Sequence, residues 1–237
     1  MSEAKFLKNY DKTIFDSPIF TVDSVLFTCH DDRLRVLLVK RANHPDQNHW
    51  GLPGGFIDLS KDNTLEDAVI RILQEKTGIE PPYIEQLECR GNAQRDKRGW
   101  SVTACYTALI AYQDCSTHID TVSDAQWHSI DDLETLDIAF DHKALIEYSR
   151  ERLKQKALYS IVPAFALPKA FTLPELQRVH ELVIGKPIQK SSFRRRIDQA
   201  ELLIDTGKKH AGGKRQAVLY TMKEAAGGFR FVRNLEQ

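Results

Sequence analysis

Two stretches of this 237-residue chain carry residue types whose spacing could do chemistry. The first, GGFIDLSKDNTLEDAVIRILQEKTGI (54–79), sets a glycine pair ahead of a helix that bears Arg71, Glu75 and Lys76. Glycines let backbone approach a phosphate closely, and carboxylates at i, i+3 and i+4 on one helix face can hold Mg²⁺ against a diphosphate. Here those three positions read Ile72, Glu75 and Lys76, which leaves one carboxylate. The second stretch, KSSFRRRIDQA (190–200), packs Arg194, Arg195, Arg196 and Gln199 into two helical turns. Guanidinium and amide groups match phosphates and the base edges of the DNA major groove.

The elements that must position these groups can be read from apolar period and punctuation. Residues 20–29 and 34–39 read as strands joined by the turn HDDR, 101–112 as another strand, and 124–133 as a strand entering an acidic turn. Thr64 with Asp67 forms a capping box ahead of Leu65, Ala68, Val69, Ile72 and Leu73 at helical spacing, and Gly78 stops that helix. Residues 140–158 are a long amphipathic helix. YSIVPAFALPKAF, with two prolines and no period, reads as a linker over 158–171. The expected organisation is α+β: a mixed sheet-and-helix domain over 1–157, then a smaller domain over 158–237.

The smaller domain opens on a second capping box, Thr172 with Glu175, and its first helix ends at Gly185. Ser191 or Ser192 is expected to cap the next helix, with a buried stripe of Phe193, Ile197, Ala200 and Ile204. Arg195, Asp198, Gln199 and Leu202 fall on the far face, and Gly207 closes the helix. KKHAGGKRQAVLYTM follows as a basic, glycine-tipped hairpin. Two helices joined by a tight turn, then a hairpin, make a winged helix-turn-helix. Lys190, Ser191, Ser192, Arg194, Arg195, Arg196 and Gln199 are then suited to bases and phosphates, and Lys208, Lys209, Lys214 and Arg215 to the DNA backbone.

Charge agrees with this reading. Residues 151–237 hold 17 Lys and Arg against 8 Asp and Glu, which leaves 16 against 25 for residues 1–150, so a −9 front is joined to a +9 back. The polar N-terminus reads as no secretory leader, and a cytoplasmic protein without a membrane anchor is expected. Four scattered cysteines match no zinc-ligand spacing and read as reduced thiols.

The front domain resembles the Nudix hydrolase family over roughly residues 20–157, through VLLVKRANHPDQNHWGLPGG and the box written G-x5-E-x7-R-E-U-x-E-E-x-G-U, where U is aliphatic. Counted back from Gly78, the box glycine falls at 57 and its glutamate at Asn63, whereas the glycines stand at 54 and 55. Asp67, Arg71 and Glu75 form an i, i+4, i+8 ladder instead. The resemblance, with these departures, implies a nucleotide pocket without box catalysis or a dedicated metal, Mg²⁺ being at most a weak companion. Asp120 or Asp124 is the candidate replacement ligand. Arg41, Gly54, Gly55, Arg71, Glu75, Arg95, Asp96 and Arg98 are the expected effector-binding residues, with Asp96 for a ribose hydroxyl and Trp50 or Trp100 to stack an adenine.

The whole chain is similar to the Nudix-related transcriptional regulators of NAD metabolism, through LPKAFTLPELQRVHELVIGKPIQKSSFRRRID and GGKRQAVLY, with Gln216 where proline is usual. That resemblance implies a homodimeric repressor of NAD synthesis or salvage genes on a near-palindromic double-stranded operator. ADP-ribose or a related nucleotide would release the DNA, and no cofactor is required. The alternative is an active ADP-ribose pyrophosphatase with an accessory nucleic-acid-binding domain.

Overall fold

Asp31 and Asp32 both adopt positive φ, 49° and 56°, and so turn strand β1 (Ile19–His30) directly back into β2 (Arg33–Arg41). Paired left-handed residues suit a two-residue hairpin because their twist matches that of the strands. The computed structural model describes residues 2–116, 119–210 and 216–231. After β2 come the short β3 (Trp50–Gly51) and β4 (Gly54–Phe56), then β5 (Tyr83–Asn92), β6 (Ser101–Leu109) and β7 (Val122–Ser129). The sheet runs β3-β2-β1-β6-β5, with β4 also on β1 and β7 also on β2. Only β1 and β6 run parallel among these pairs, in register from Ile19↔Ser101 to Phe27↔Leu109.

Strand alternation sends side chains to both faces of this sheet, and each face carries a buried apolar cluster. Val22 and Leu26 of β1, Leu37 of β2 and Ala104, Tyr106 and Ala108 of β6 point to one side. There they meet Ala68, Val69, Ile72 and Leu73 of helix α2 (Leu65–Thr77), which follows the short, exposed α1 (Glu3–Lys8). Both predicted caps of α2 form: Thr64 and Asp67 exchange bonds as a capping box, and Gly78 closes the helix at φ 71°. Val25, Phe27, Val36, Leu38, Cys105 and Leu109 point the other way, onto Leu145, Ile146 and Leu153 of α3 (His142–Ala157).

The second cluster does not end with α3. It continues through Ile161, Val162, Ala164 and Phe171 into α4 (Leu173–Ile184) and α5 (Lys190–Ala200). Most of the segment expected as a linker is thus a buried strap, with a 3-10 turn at Val162–Ala166 and residues 168–170 exposed. Its prolines hid this from the sequence, since neither interrupts a hydrogen-bonded helix and the apolar residues have no period. Buried His180 of α4 presents Nε2 to the Ser160 carbonyl at 3.2 Å and Nδ1 to the Leu176 carbonyl at 2.8 Å. Arg178 of α4 bonds Asp32 of the β1–β2 turn at 2.7 Å.

The capping box at Thr172 and the left-handed Gly185 bound α4 as expected. The second helix departs from expectation at both ends. Gln189 caps α5 by accepting from the Ser192 N–H, so Ser191 and Ser192 lie inside the helix. At the other end Glu201, at φ 50°, takes the left-handed role given to Gly207. Leu202 is therefore buried rather than on the far face, and Ile204 is an exposed strand residue rather than part of the helical stripe. Once the chain leaves the helix, the 3.6-residue period no longer says where a side chain points. Strands β8 (Leu203–His210) and β9 (Ala217–Met222) pair antiparallel, with Gly207 at the register shift. The four cysteines are free thiols, and among the described residues no helix is long and apolar enough to cross a membrane.

A buried strap and a tether differ in what truncation costs. Ile161→Ala should destabilise the protein by about 2–5 kcal/mol, as removal of a fully buried isoleucine does. Urea unfolding measures this, and a loss below about 0.5 kcal/mol would mark 158–171 as an idle linker.

Candidate functional site

Asp23 in β1 is 6% exposed and lies on the floor of a cavity of about 760 Å³. A buried carboxylate has to be bonded and neutralised. Thr103 of β6 donates to it at 2.7 Å, and Arg95 and His142 approach at 3.7 Å each. Arg95 also donates to Asp141, just ahead of α3, at 3.1 Å. Gly54 of β4 faces Asp23 so closely that a Cβ there would be driven into the carboxylate and the Val22 carbonyl. His142 accepts from the Leu52 N–H through Nδ1 at 2.9 Å, which places any proton of the neutral ring on Nε2, toward Asp23. Burial holds the His142 pKa below its ordinary value.

All eight residues that the sequence assigned to an effector line this cavity. The structure then sorts them by what they already hold. Arg71 forms a fork with Asp62, two contacts of 2.7 Å, and donates to Glu75 at 3.0 Å and to the Phe56 carbonyl at 3.1 Å. The expected Asp67–Arg71–Glu75 ladder does not form. Asp67 accepts from the Asn63 and Thr64 N–H groups, and Asp62 takes its place. A cap satisfies backbone donors that have no other partner, so it claims Asp67 first. Arg95 is fully engaged in the floor. Arg98 bonds Asp96 at 2.7 Å and lies over the Phe56 ring, 5.5 Å from its centre. Asp96, expected for a ribose hydroxyl, is thus committed to Arg98. Burial opposes its charge, yet the side-chain and backbone bonds from Arg98 hold its pKa below the usual range.

Arg41 is different. It donates to the Pro45 carbonyl at 2.8 Å and lies 4.7 Å over the Phe140 ring, with no carboxylate in direct contact among the described residues. Lys76, read from the sequence only as a lost carboxylate, lines the same cavity and bonds the Gly54 carbonyl at 2.6 Å. Ile72 is buried, its Cδ1 3.2 Å from where a Gly55 Cβ would stand. Phe56 and Phe140 are the aromatic rings of the cavity. Trp50 instead packs edge-on against His128, and Trp100 borders a separate surface hollow. Asp124 is spent on Ala125 and Gln126, and neither it nor Asp120 lines the cavity. Among the described residues no three His, Cys, Asp or Glu side chains gather as a metal shell. Asp23, His142, Lys76 and the two phenylalanines carried no local sequence signal, because what unites them is a sheet register and a helix start far apart in the chain.

The second site is the outer face of α5. Phe193 and Ile197 face the core. Ser191, Arg195 and Gln199, one helical turn apart, are exposed along the opposite face, with Lys190 beside them. Ser192, Arg194 and Arg196 flank this line and are half-buried, Arg194 with its Nε buried and unbonded. Lys208 and Lys209 are exposed on β8, whereas Lys214 and Arg215 lie outside the described residues. An exposed row of cationic and amide groups on the second helix of a winged pair has the form that enters a major groove.

Comparison with known proteins agrees on both halves. Residues 20–148 match the NUDIX domain and residues 163–222 the NrtR DNA-binding winged helix domain. The chain is 40% identical over 235 residues to the "ADPR responsive transcriptional repressor NtrR" of Acinetobacter baylyi, covering 99% of this chain and 94% of that protein. It is 59% identical to Shewanella oneidensis NrtR solved with a 27mer DNA, at a TM-score of 0.86 over 92% of this chain and 99% of that one. The NUDIX domain of Shewanella oneidensis NrtR solved with ADP ribose is 56% identical, at a TM-score of 0.63 over 65% of this chain and 99% of that one.

The two glycines should respond unequally to alanine. Gly54→Ala should cost about 1–3 kcal/mol by overpacking, whereas at Gly55 the neighbour is a flexible Ile72 end that can shift; equal melting temperatures for the two variants would contradict this. Bonding to Arg71 holds the Asp62 pKa down to about 2. The folded value lies below the unfolded ~3.9, so this stabilisation is complete above ~3.9 and is lost as pH falls toward the folded value. Arg71→Ala should return the Asp62 midpoint toward ~3.9 in a carboxyl NMR titration. An unmoved midpoint would assign the shift to another cause.

Proposed function

The chain belongs to the NrtR family, a Nudix domain carried with an NrtR DNA-binding winged helix domain, and on that premise we propose that it is an ADP-ribose-responsive transcriptional repressor. The observation that carries this reading is the pairing of a cationic cavity with an exposed Ser191–Arg195–Gln199 row on one continuous core. In the proposed cycle, α5 enters the major groove of an operator upstream of genes for NAD synthesis or salvage. Arg195 and Gln199 read base edges, and Lys190, Ser191, Ser192, Arg194, Arg196, Lys208 and Lys209 serve phosphates. ADP-ribose occupies the cavity, with its diphosphate toward the arginines and an aromatic ring, Phe56 or Phe140, against its base. Two copies sit on a near-palindromic site with half-sites a whole number of turns apart. The 27mer bound by the Shewanella relative is long enough for half-sites one turn apart.

The cavity binds but does not hydrolyse in this reading. A Nudix catalytic box positions Mg²⁺ with clustered carboxylates, and the donor set here does not fit that ion. Ile72 offers no ligand atom, Lys76 offers a cation, and Glu75 is held by Arg71. A repressor that consumed its own signal would also blunt its response.

A mobility shift on promoter fragments of NAD genes tests the reading. Salt-sensitive binding, released by ADP-ribose without formation of AMP, is the expected result. Sustained AMP release would favour a hydrolase instead. Arg195→Ala should weaken operator binding by about 1–3 kcal/mol, roughly 5- to 150-fold, and leave ADP-ribose affinity unchanged. Unchanged DNA affinity would remove α5 as the reading helix.

A further inference from the structure

The cations lining the cavity fall into two classes. Arg71, Arg95 and Arg98 are each neutralised by a carboxylate, and Lys61 pairs with Asp58 and Glu75. Arg41 and Lys76 line the same space and donate to backbone carbonyls, those of Pro45 and Gly54, Arg41 also lying over the Phe140 ring. Neither forms an ion pair among the described residues. Lys76 has three N–H donors and uses one on Gly54, on the glycine strand that edges the cavity. Two cations partly drawn out of water with no carboxylate in direct contact among the described residues are costly, carboxylates such as Asp23 helping only from a distance, and an anion reaching both would relieve that cost.

We propose that Lys76, together with Arg41, takes the place of a divalent metal, receiving the effector's diphosphate directly so that binding needs no Mg²⁺. This rests on the ADP-ribose reading above and adds a residue and a metal independence to it. The position matters more than the charge alone. Lys76 stands one helical turn after Ile72, at a box position where a carboxylate would hold the ion. An ammonium there repels a divalent cation at the spot where it would dock, while offering phosphate the same sign of charge through a tether. Its contact with Gly54 fixes the ammonium beside the glycine backbone that approaches phosphate, so the charge is placed before ligand arrives. Burial lowers the pKa values of both Lys76 and Arg41; at Lys76 the Asp23 carboxylate offsets part of this and the Arg41 charge adds to it. A bound dianion would reverse that destabilisation.

Calorimetric titration of the full chain with ADP-ribose, in EDTA and in millimolar MgCl₂, tests this. Equal affinity in both buffers is expected, with Lys76→Gln weaker by about 10- to 100-fold and Lys76→Arg close to wild type. Binding that appears only with Mg²⁺, or a Lys76→Gln protein that binds as tightly as wild type, overturns the proposal while leaving the ADP-ribose reading intact. Binding in neither buffer overturns that reading and the proposal with it. Should Lys76→Gln fail to fold, the wild-type comparison of the two buffers decides.

Discussion

A carboxylate buried in a β-strand must be neutralised where it stands, and much of this molecule is arranged around doing so for Asp23. Its partners come from three directions: Thr103 across the parallel pair, Arg95 from the loop before β6 and His142 from the start of α3, while Gly54 leaves the carboxylate the room a Cβ would take. The hard geometry of that cluster sets the cavity floor. It also ties the floor to α3, because Arg95 bridges Asp23 to Asp141 and His142 is the helix's first residue. The cavity floor is therefore built on one end of a helix whose other end runs into the buried strap and the winged pair.

That continuity gives the coupling a physical body. Two globules joined by a slack tether can bind two ligands independently. Here the apolar cluster runs from Val25 and Phe27 in the sheet through Ile161 and Phe171 to Phe193 behind the proposed reading face of α5. Packed interiors shift between discrete arrangements rather than deforming smoothly. In the proposed cycle, a ligand that favours one placement of α3 would favour one placement of α5. The Arg178–Asp32 bond, which links α4 to the β1–β2 turn, adds a second contact between the same two bodies. That pair is exposed, so its energetic contribution is small.

Much of this was legible in local sequence. Both capping boxes, the left-handed glycines at 78 and 185 and the strand turn at Asp31-Asp32 formed where residue chemistry placed them. The eight residues chosen for the cavity do surround it, because loops on one edge of a sheet converge whatever their order in the chain. The misreadings share one cause, competition that only three dimensions resolve. Asp67 was claimed by a cap and left Arg71 to Asp62, nine residues away. Glu201 took a left-handed turn that glycine was expected to supply, and so moved Leu202 and Ile204 to other faces. The strap lacked a period because residues 160–164 are buried one after another, on every side of the chain. Asp23 and His142 were invisible, being single residues whose meaning is their meeting.

In the proposed cycle cavity and DNA face are coupled, and coupling free energies are reciprocal. The most direct measurement is ADP-ribose affinity, by calorimetry, for the free protein and for the protein saturated with operator DNA. The account requires operator to weaken ADP-ribose binding by about 5-fold or more, by the same factor that ADP-ribose weakens operator binding. Equal ADP-ribose affinity with and without DNA would contradict it.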